Sequence, residues 1–154
     1  MPIPPSNPLL HLWAVANAEA WFCQGSAIEP AHFWIACLKT ADESFAAAML
    51  DHGAPPEECA AQAAESQRLR EYLEMDSEAT ATLRRRLRGR LLRGKPPREP
   101  PADGKIPYLH RSESSRRLFE LALRKAESRK SAELTPTLLA ESLFDMKLAS
   151  LESV

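Results

Sequence analysis

The chain opens with a helical pattern. Ser6 or Asn7 can cap a helix, and Pro8 falls in its first turn, where a missing N–H costs nothing. Leu9, Leu12, Trp13, Ala16, Ala20 and Cys23 follow at three- and four-residue steps and make one apolar face. Gln24-Gly25-Ser26 stops it. A second helix is predicted from Glu29-Pro30 through His32, Phe33, Ile35, Ala36 and Leu38. A third has Phe45, Ala48 and Met49 inward and ends at Gly53. Pro55-Pro56-Glu57-Glu58 reads as the start of a fourth, over about 57–74, with acids at the positive end of its dipole.

The middle differs. After a break at Met75-Asp76-Ser77, residues 78–93 predict a basic helix with Leu83, Leu87 and Leu91 on one stripe. Gly94 to Pro101 holds four prolines and predicts an extended linker. The helical pattern resumes at Ser112, with Leu118, Phe119, Ala122 and Ala126 inward. Thr135-Pro136 opens a helix carrying Leu138, Leu139, Leu143 and Phe144, and Leu148 to Val154 reads as the start of another. No stretch alternates as a strand would, so the expected fold is all-α.

Shifting the chain by 106 positions aligns its two ends without a gap. Ser6 falls on Ser112, Trp13 on Phe119, Ala16 on Ala122, Ala20 on Ala126, Ile28 on Leu134 and Pro30 on Pro136. Identities are few, but cap, core alanines and proline start recur in order. Small residues at these positions let helices approach closely.

Those residues carry a resemblance. Ile28-Glu29-Pro30-Ala31-His32-Phe33 and Met49-Leu50-Asp51-His52-Gly53 resemble the first repeat of the Clp amino-terminal domain. Ile106-Pro107-Tyr108, Arg117 to Ala126, and Leu134-Thr135-Pro136 through Phe144 resemble the second. The resemblance implies two pseudo-twofold-related four-helix repeats. Repeat one would span about 6–75 and repeat two about 105–154, incompletely, joined by the Pro-rich basic connector at 76–104 in a single domain over 1–154. It also implies a non-catalytic domain that recruits substrates or adaptors to an AAA+ unfoldase, in the same chain or another. Family members include housekeeping unfoldases and the type VI secretion unfoldase that recycles contractile sheaths. Some relatives bind phosphoarginine through an acid that precedes the histidine of the second helix. Here Ala31 precedes His32, and the second repeat has Thr137-Leu138, so that activity is not expected.

Composition narrows the classes. The 154 residues are 44% hydrophobic and 27% charged, which suits a globular domain with its own core. No apolar run reaches membrane-span length, and Met1-Pro2-Ile3-Pro4-Pro5 is unlike a secretory signal. Three widely spaced cysteines (Cys23, Cys37, Cys59) form neither a metal pattern nor a disulfide framework, so the expected compartment is the cytoplasm. Net charge is −1, but residues 1–83 carry twelve acids against three bases, and residues 84–154 carry seventeen bases against nine acids. The two parts are expected to face each other or different partners.

Candidate chemistry is sparse. Gly89-x4-Gly94-Lys95 resembles a phosphate-binding loop, but Pro96 follows it and no strand precedes it. His11, His32, His52 and His110 lack ligand spacing; His32 reads as a structural hydrogen-bonding group. No nucleophile, base and orienting group can be assembled, so no enzyme, cofactor or metal is expected. Trp21 and Phe22 fall opposite Glu127 and Ser128 of the second repeat, which makes them candidate anchors of an exposed patch, with Trp34 as a third. The alternative is that they pack against the middle segment. The basic run, including Arg84, Arg85 and Arg86, can be a solvated face, a second contact for an acidic protein surface, or a nucleic-acid site. The resulting expectation is a protein partner presenting a helix or an extended peptide. The alternative is a helical regulatory or nucleic-acid-binding protein.

Overall fold

A computed structural model describes residues 2–149. Among them are seven helices and no strand. They are α1 (Asn7–Phe22), α2 (Pro30–Ala41), α3 (Ser44–Asp51), α4 (Pro56–Leu73), α5 (Ser77–Leu92), α6 (Glu113–Ser128) and α7 (Pro136–Asp145). Local chemistry sets their ends. The Ser6 and Ser112 hydroxyls accept the Leu9 and Ser115 N–H groups and cap α1 and α6. Prolines open α2 and α7.

Helix α2 is the axis of the core. Every residue from Pro30 to Ala41 is buried except Ala31 and Lys39. Helices α1, α3, α4, α5, α6 and α7 all pack on it. A helix surrounded this way must be apolar nearly all round, and Phe33-Trp34-Ile35-Ala36-Cys37-Leu38 is. Helix α4 holds two of its neighbours by their ends. The Arg70 guanidinium and the Ser66 hydroxyl donate to the last carbonyls of α2, those of Ala41 (2.8 Å) and Thr40 (2.5 Å). The buried Glu65 carboxylate accepts the Thr137 N–H (2.9 Å) and hydroxyl (2.8 Å) at the start of α7. Arg68 donates to its other oxygen at 2.6 and 2.9 Å.

The offset of 106 recurs in the geometry. Helices α1 and α6 begin and end at matching residues. Both finish in the same turn: Gln24 and Lys130 adopt left-handed φ of 62° and 53°, and the Gly25 and Ser131 N–H groups donate to Ala20 and Ala126. Contacts between the ends of the chain are reciprocal. The Ser6 N–H donates to Leu134 O (2.9 Å) and the Leu134 N–H to Pro4 O (2.8 Å). At the shifted positions, the Ser112 N–H donates to Ile28 O (3.0 Å) and the Ile28 N–H to His110 O (2.8 Å). Each lead-in segment thus pairs with the other unit's turn. The matching residues Trp13 and Phe119 touch each other, with ring centroids 4.8 Å apart, beside Phe33.

Two expectations need correction. In α3 the buried residue is Ala46; Ala48 is exposed, and Phe45 and Met49 are half-buried. The stretch 76–104 is more than a connector, because α5 packs on α2 with Leu87 fully buried. The predicted Leu83–Leu87–Leu91 stripe is the face it uses. A further helix from Leu148 falls mostly outside the described residues.

Candidate functional site

Helix α1 is unusual in being apolar on both faces. Leu9, Leu12, Ala16 and Ala20 point into the core, as the spacing predicts. The opposite side carries Leu10, which is 49% exposed, with Ala14 exposed and Ala18 half-exposed. At the matching positions α6 carries Arg116, Glu120 and Arg124, the first two and the last all exposed. The two helices share bounds, caps and closing turns but not this outer face.

A groove runs along each side of this face. One, of about 500 Å³, lies between α1 and α3 and is lined by His11, Ala14, Val15, Phe45, Met49 and His52, among others. The other, of about 530 Å³, lies between α1 and the extended segment after α5, and includes Leu10, Trp13, Ala14, Ile106 and Tyr108. Asn17 builds the second groove. Its side-chain amide donates to Pro107 O (3.0 Å) and its side-chain carbonyl accepts the Leu109 N–H (2.8 Å). Tyr108, on that tethered segment, is 92% exposed. Exposed apolar residues grouped in this way mark contact surfaces more often than scattered ones do.

The aromatic anchors predicted from the sequence lie elsewhere. Trp34 is 1% exposed, at the centre of the fold, with Phe144 edge-on at 5.5 Å. Trp21 is buried too: Phe22 meets it edge-on at 5.2 Å, and the Arg98 guanidinium lies 4.7 Å over its ring. The Arg98 N–H donates to Phe22 O (2.8 Å), so the Pro-rich stretch lies across the end of α1 and leaves Phe22 half-buried. An exposed Trp21–Phe22–Trp34 patch is therefore absent.

The arginine run is divided by the turn of α5. Arg88 points inward and pairs with Glu19, a buried carboxylate on α1. Arg84 is half-buried, with its Nε shielded from solvent and unpartnered. Its pKa is lowered, first by burial and then by Arg88. Arg85 and Arg86 are exposed. Gly89 sits inside α5, so the glycine-spaced motif before Lys95 forms no phosphate-binding loop.

His32 is a capping residue. Its Nδ1 accepts the Glu29 N–H (2.8 Å) at the start of α2, which needs an unprotonated nitrogen there. Burial lowers its pKa from 6.5 to about 4, against a smaller opposing pull from Glu19. A histidine held neutral in the fold stabilises fully above its unfolded pKa. Below that the unfolded chain takes up the proton first. Stability is thus expected to fall by up to about 3 kcal/mol as pH drops from 6.5 towards 4. His32→Gln keeps an acceptor at this third helical position without the titration. Urea unfolding of both proteins across that range should give a distinctly flatter profile for the variant; parallel profiles would refute the assignment.

Neither Cys23 nor Cys37 is an activated thiol. Burial pushes the Cys37 thiol up, and the Cys23 thiol up to about 11. A thiol raised beside an imidazole lowered is the reverse of an activated thiolate–imidazolium pair. Among the described residues, no three His, Cys, Asp or Glu side chains group as metal ligands. No helix there is long and apolar enough to cross a membrane. Comparison with protein-family models, curated proteins and solved structures finds no match to the chain.

Proposed function

We propose that the chain is a protein-docking domain of the Clp amino-terminal type, which holds a substrate or adaptor for an AAA+ unfoldase. The sequence resemblance motivates the family. The shared offset of caps, turns and reciprocal backbone contacts between α1–α2 and α6–α7 supports a repeat architecture of that kind. In this reading α1–α4 form the first repeat, and α6 and α7 belong to the second.

The observation that carries the docking role is the outer face of α1. Leu10, Ala14 and Ala18 are apolar where the equivalent face of α6 is charged. Exposing them has a hydrophobic cost. In our reading a partner's helix or extended peptide lays its apolar side chains along this face, between α3 and Tyr108. Two of the arginines expected to form a second contact, Arg85 and Arg86, remain available at the surface. Arg88 is paired with Glu19 and Arg84 is half-buried, which reduces the basic surface offered to nucleic acid.

A photo-crosslinking residue placed at position 10, or at its counterpart 116, tests this reading in host extract. The expected result is one dominant product from position 10 and none from 116. Ala14→Glu, checked for unchanged helicity, should remove it. Mass spectrometry should identify the product as an AAA+ unfoldase, its adaptor or its substrate. Equal crosslinking from both positions, or survival of the product in the variant, would overturn the docking face. A product of another kind would overturn the unfoldase role.

A further inference from the structure

A third hollow, of about 310 Å³, lies away from the α1 grooves. It is enclosed by the turn after α1, the first turn of α2 and the end of α5, and includes Gln24, Gly25, His32, Arg90, Arg93 and Lys95 in its lining. Among the described residues the lining includes three cationic residues and no acid. Leu91 and Leu92 add an apolar wall. The nearby Glu19 is already neutralised by Arg88. The hollow is held open by backbone geometry. Arg93 and Gly94 take left-handed φ of 51° and 79°, which turns the chain sharply, and the Gln24 amide then donates to Pro96 O (3.0 Å). At Gly25 an added Cβ would come within 3.0 Å of Ala20 O and 3.4 Å of the His32 ring, so this wall is built for glycine.

The second unit supplies a comparison. The hollow over its matching turn is lined by Arg68, Arg129, Ser131, Glu133 and Glu141, among others. Its cations are consumed internally: Arg68 pairs with Glu65, and Arg129 with Glu141. In the first hollow the side chains of Arg93 and Lys95 form no ion pair among the described residues. Both are exposed.

We propose that this hollow is a binding site for an acidic stretch of a partner protein. A carboxylate seats between Arg93 and Lys95, and a neighbouring apolar side chain rests on Leu91 and Leu92. Charge complementarity carries the choice: the chain has a net charge of only −1, but Arg93 and Lys95 stand together at this hollow with no ion pair among the described residues. The site is independent of the α1 face and does not require it.

Fluorescence anisotropy with the whole chain tests it. The probes are a labelled peptide of alternating Glu and Leu, the same peptide with Gln for Glu, and a labelled single-stranded oligonucleotide. The Glu peptide should bind more tightly than either of the others. Arg93→Gln/Lys95→Gln should weaken it by about tenfold or more, as expected for losing charge-assisted contacts. Arg116→Gln/Arg124→Gln removes the same charge from the exposed face of α6, which does not line the hollow, and should change affinity by less than about twofold. Equal losses in the two variants would mean unspecific attraction and overturn the site. So would binding of the Gln peptide at equal strength, tighter capture of the oligonucleotide, or no binding of the Glu peptide.

Discussion

Arg88→Ala should destabilise the fold by about 3 kcal/mol. Arg88 Nε donates to Glu19 Oε2 at 3.0 Å, and a terminal guanidinium nitrogen takes the other carboxylate oxygen. Glu19 is 7% exposed, whereas the Arg88 side chain keeps 34% of its surface in water. The carboxylate therefore bears most of the desolvation. Truncating the arginine strips that buried charge of its hydrogen bonds and leaves it only the longer-range pull of Lys39 and Arg84, and this dominates over any packing lost. Replacing both members removes the stranded charge, so Glu19→Leu/Arg88→Met should recover most of the loss. Urea midpoints at neutral pH measure both variants. An Arg88→Ala protein within about 1 kcal/mol of the parent would show that the pair is a surface bridge in its energetics.

Trp34→Ala should cost about 3–5 kcal/mol, the largest effect expected of any single truncation here. Trp34 is the largest fully buried side chain and lies on the helix that the others surround. Its ring closes a row that runs through Phe144, 5.5 Å away, to Tyr72, a further 5.8 Å on, and joins α2, α7 and α4. Alanine would open a cavity bordered by helices anchored elsewhere, which limits collapse. The melting temperature should drop by about 10 °C or more. Trp34→Phe keeps an edge-to-face partner for Phe144 and should lose far less. If alanine and phenylalanine cost the same, the row contributes little and the site tolerates collapse.

These two residues also mark where the sequence stops being readable. The caps at Ser6 and Ser112 and the proline starts at Pro30 and Pro136 are short-range features, and they stand where the spacing put them. The leucine stripe of α5 is likewise periodic, although no local pattern says that α2 receives it. Helix α3 is eight residues with apolar groups at nearly every position, so no period selects Ala46 over Ala48. For Trp21 the sequence left two readings open, an exposed anchor or packing against the middle segment, and the second is the one observed. What covers its ring is Arg98, in a stretch with no periodicity whose course depends on the assembled helices. The outer face of α1 was hidden by abundance. A helix apolar on all sides reads as a buried one, and only its comparison with Arg116, Glu120 and Arg124 distinguishes the exposed side.

The reciprocal backbone contacts have a consequence for how the chain is made. The amide and carbonyl of Ile28 are satisfied by residues 110 and 112, and Pro4 and Ser6 by Leu134. On a ribosome, α1 and α2 emerge long before those partners exist. The first turn must wait for the lead-in of α6, and the amino-terminal segment must wait for the turn before α7. Until then the part of α2 that faces α6 and α7 stays uncovered, although α1, α4 and α5 can already pack on the rest. Contacts this distant in sequence close late, and the interval leaves sticky surface in the open. Nascent chains halted before residue 110 should therefore be held by cellular holdases, and release should come in a single step once α7 is out.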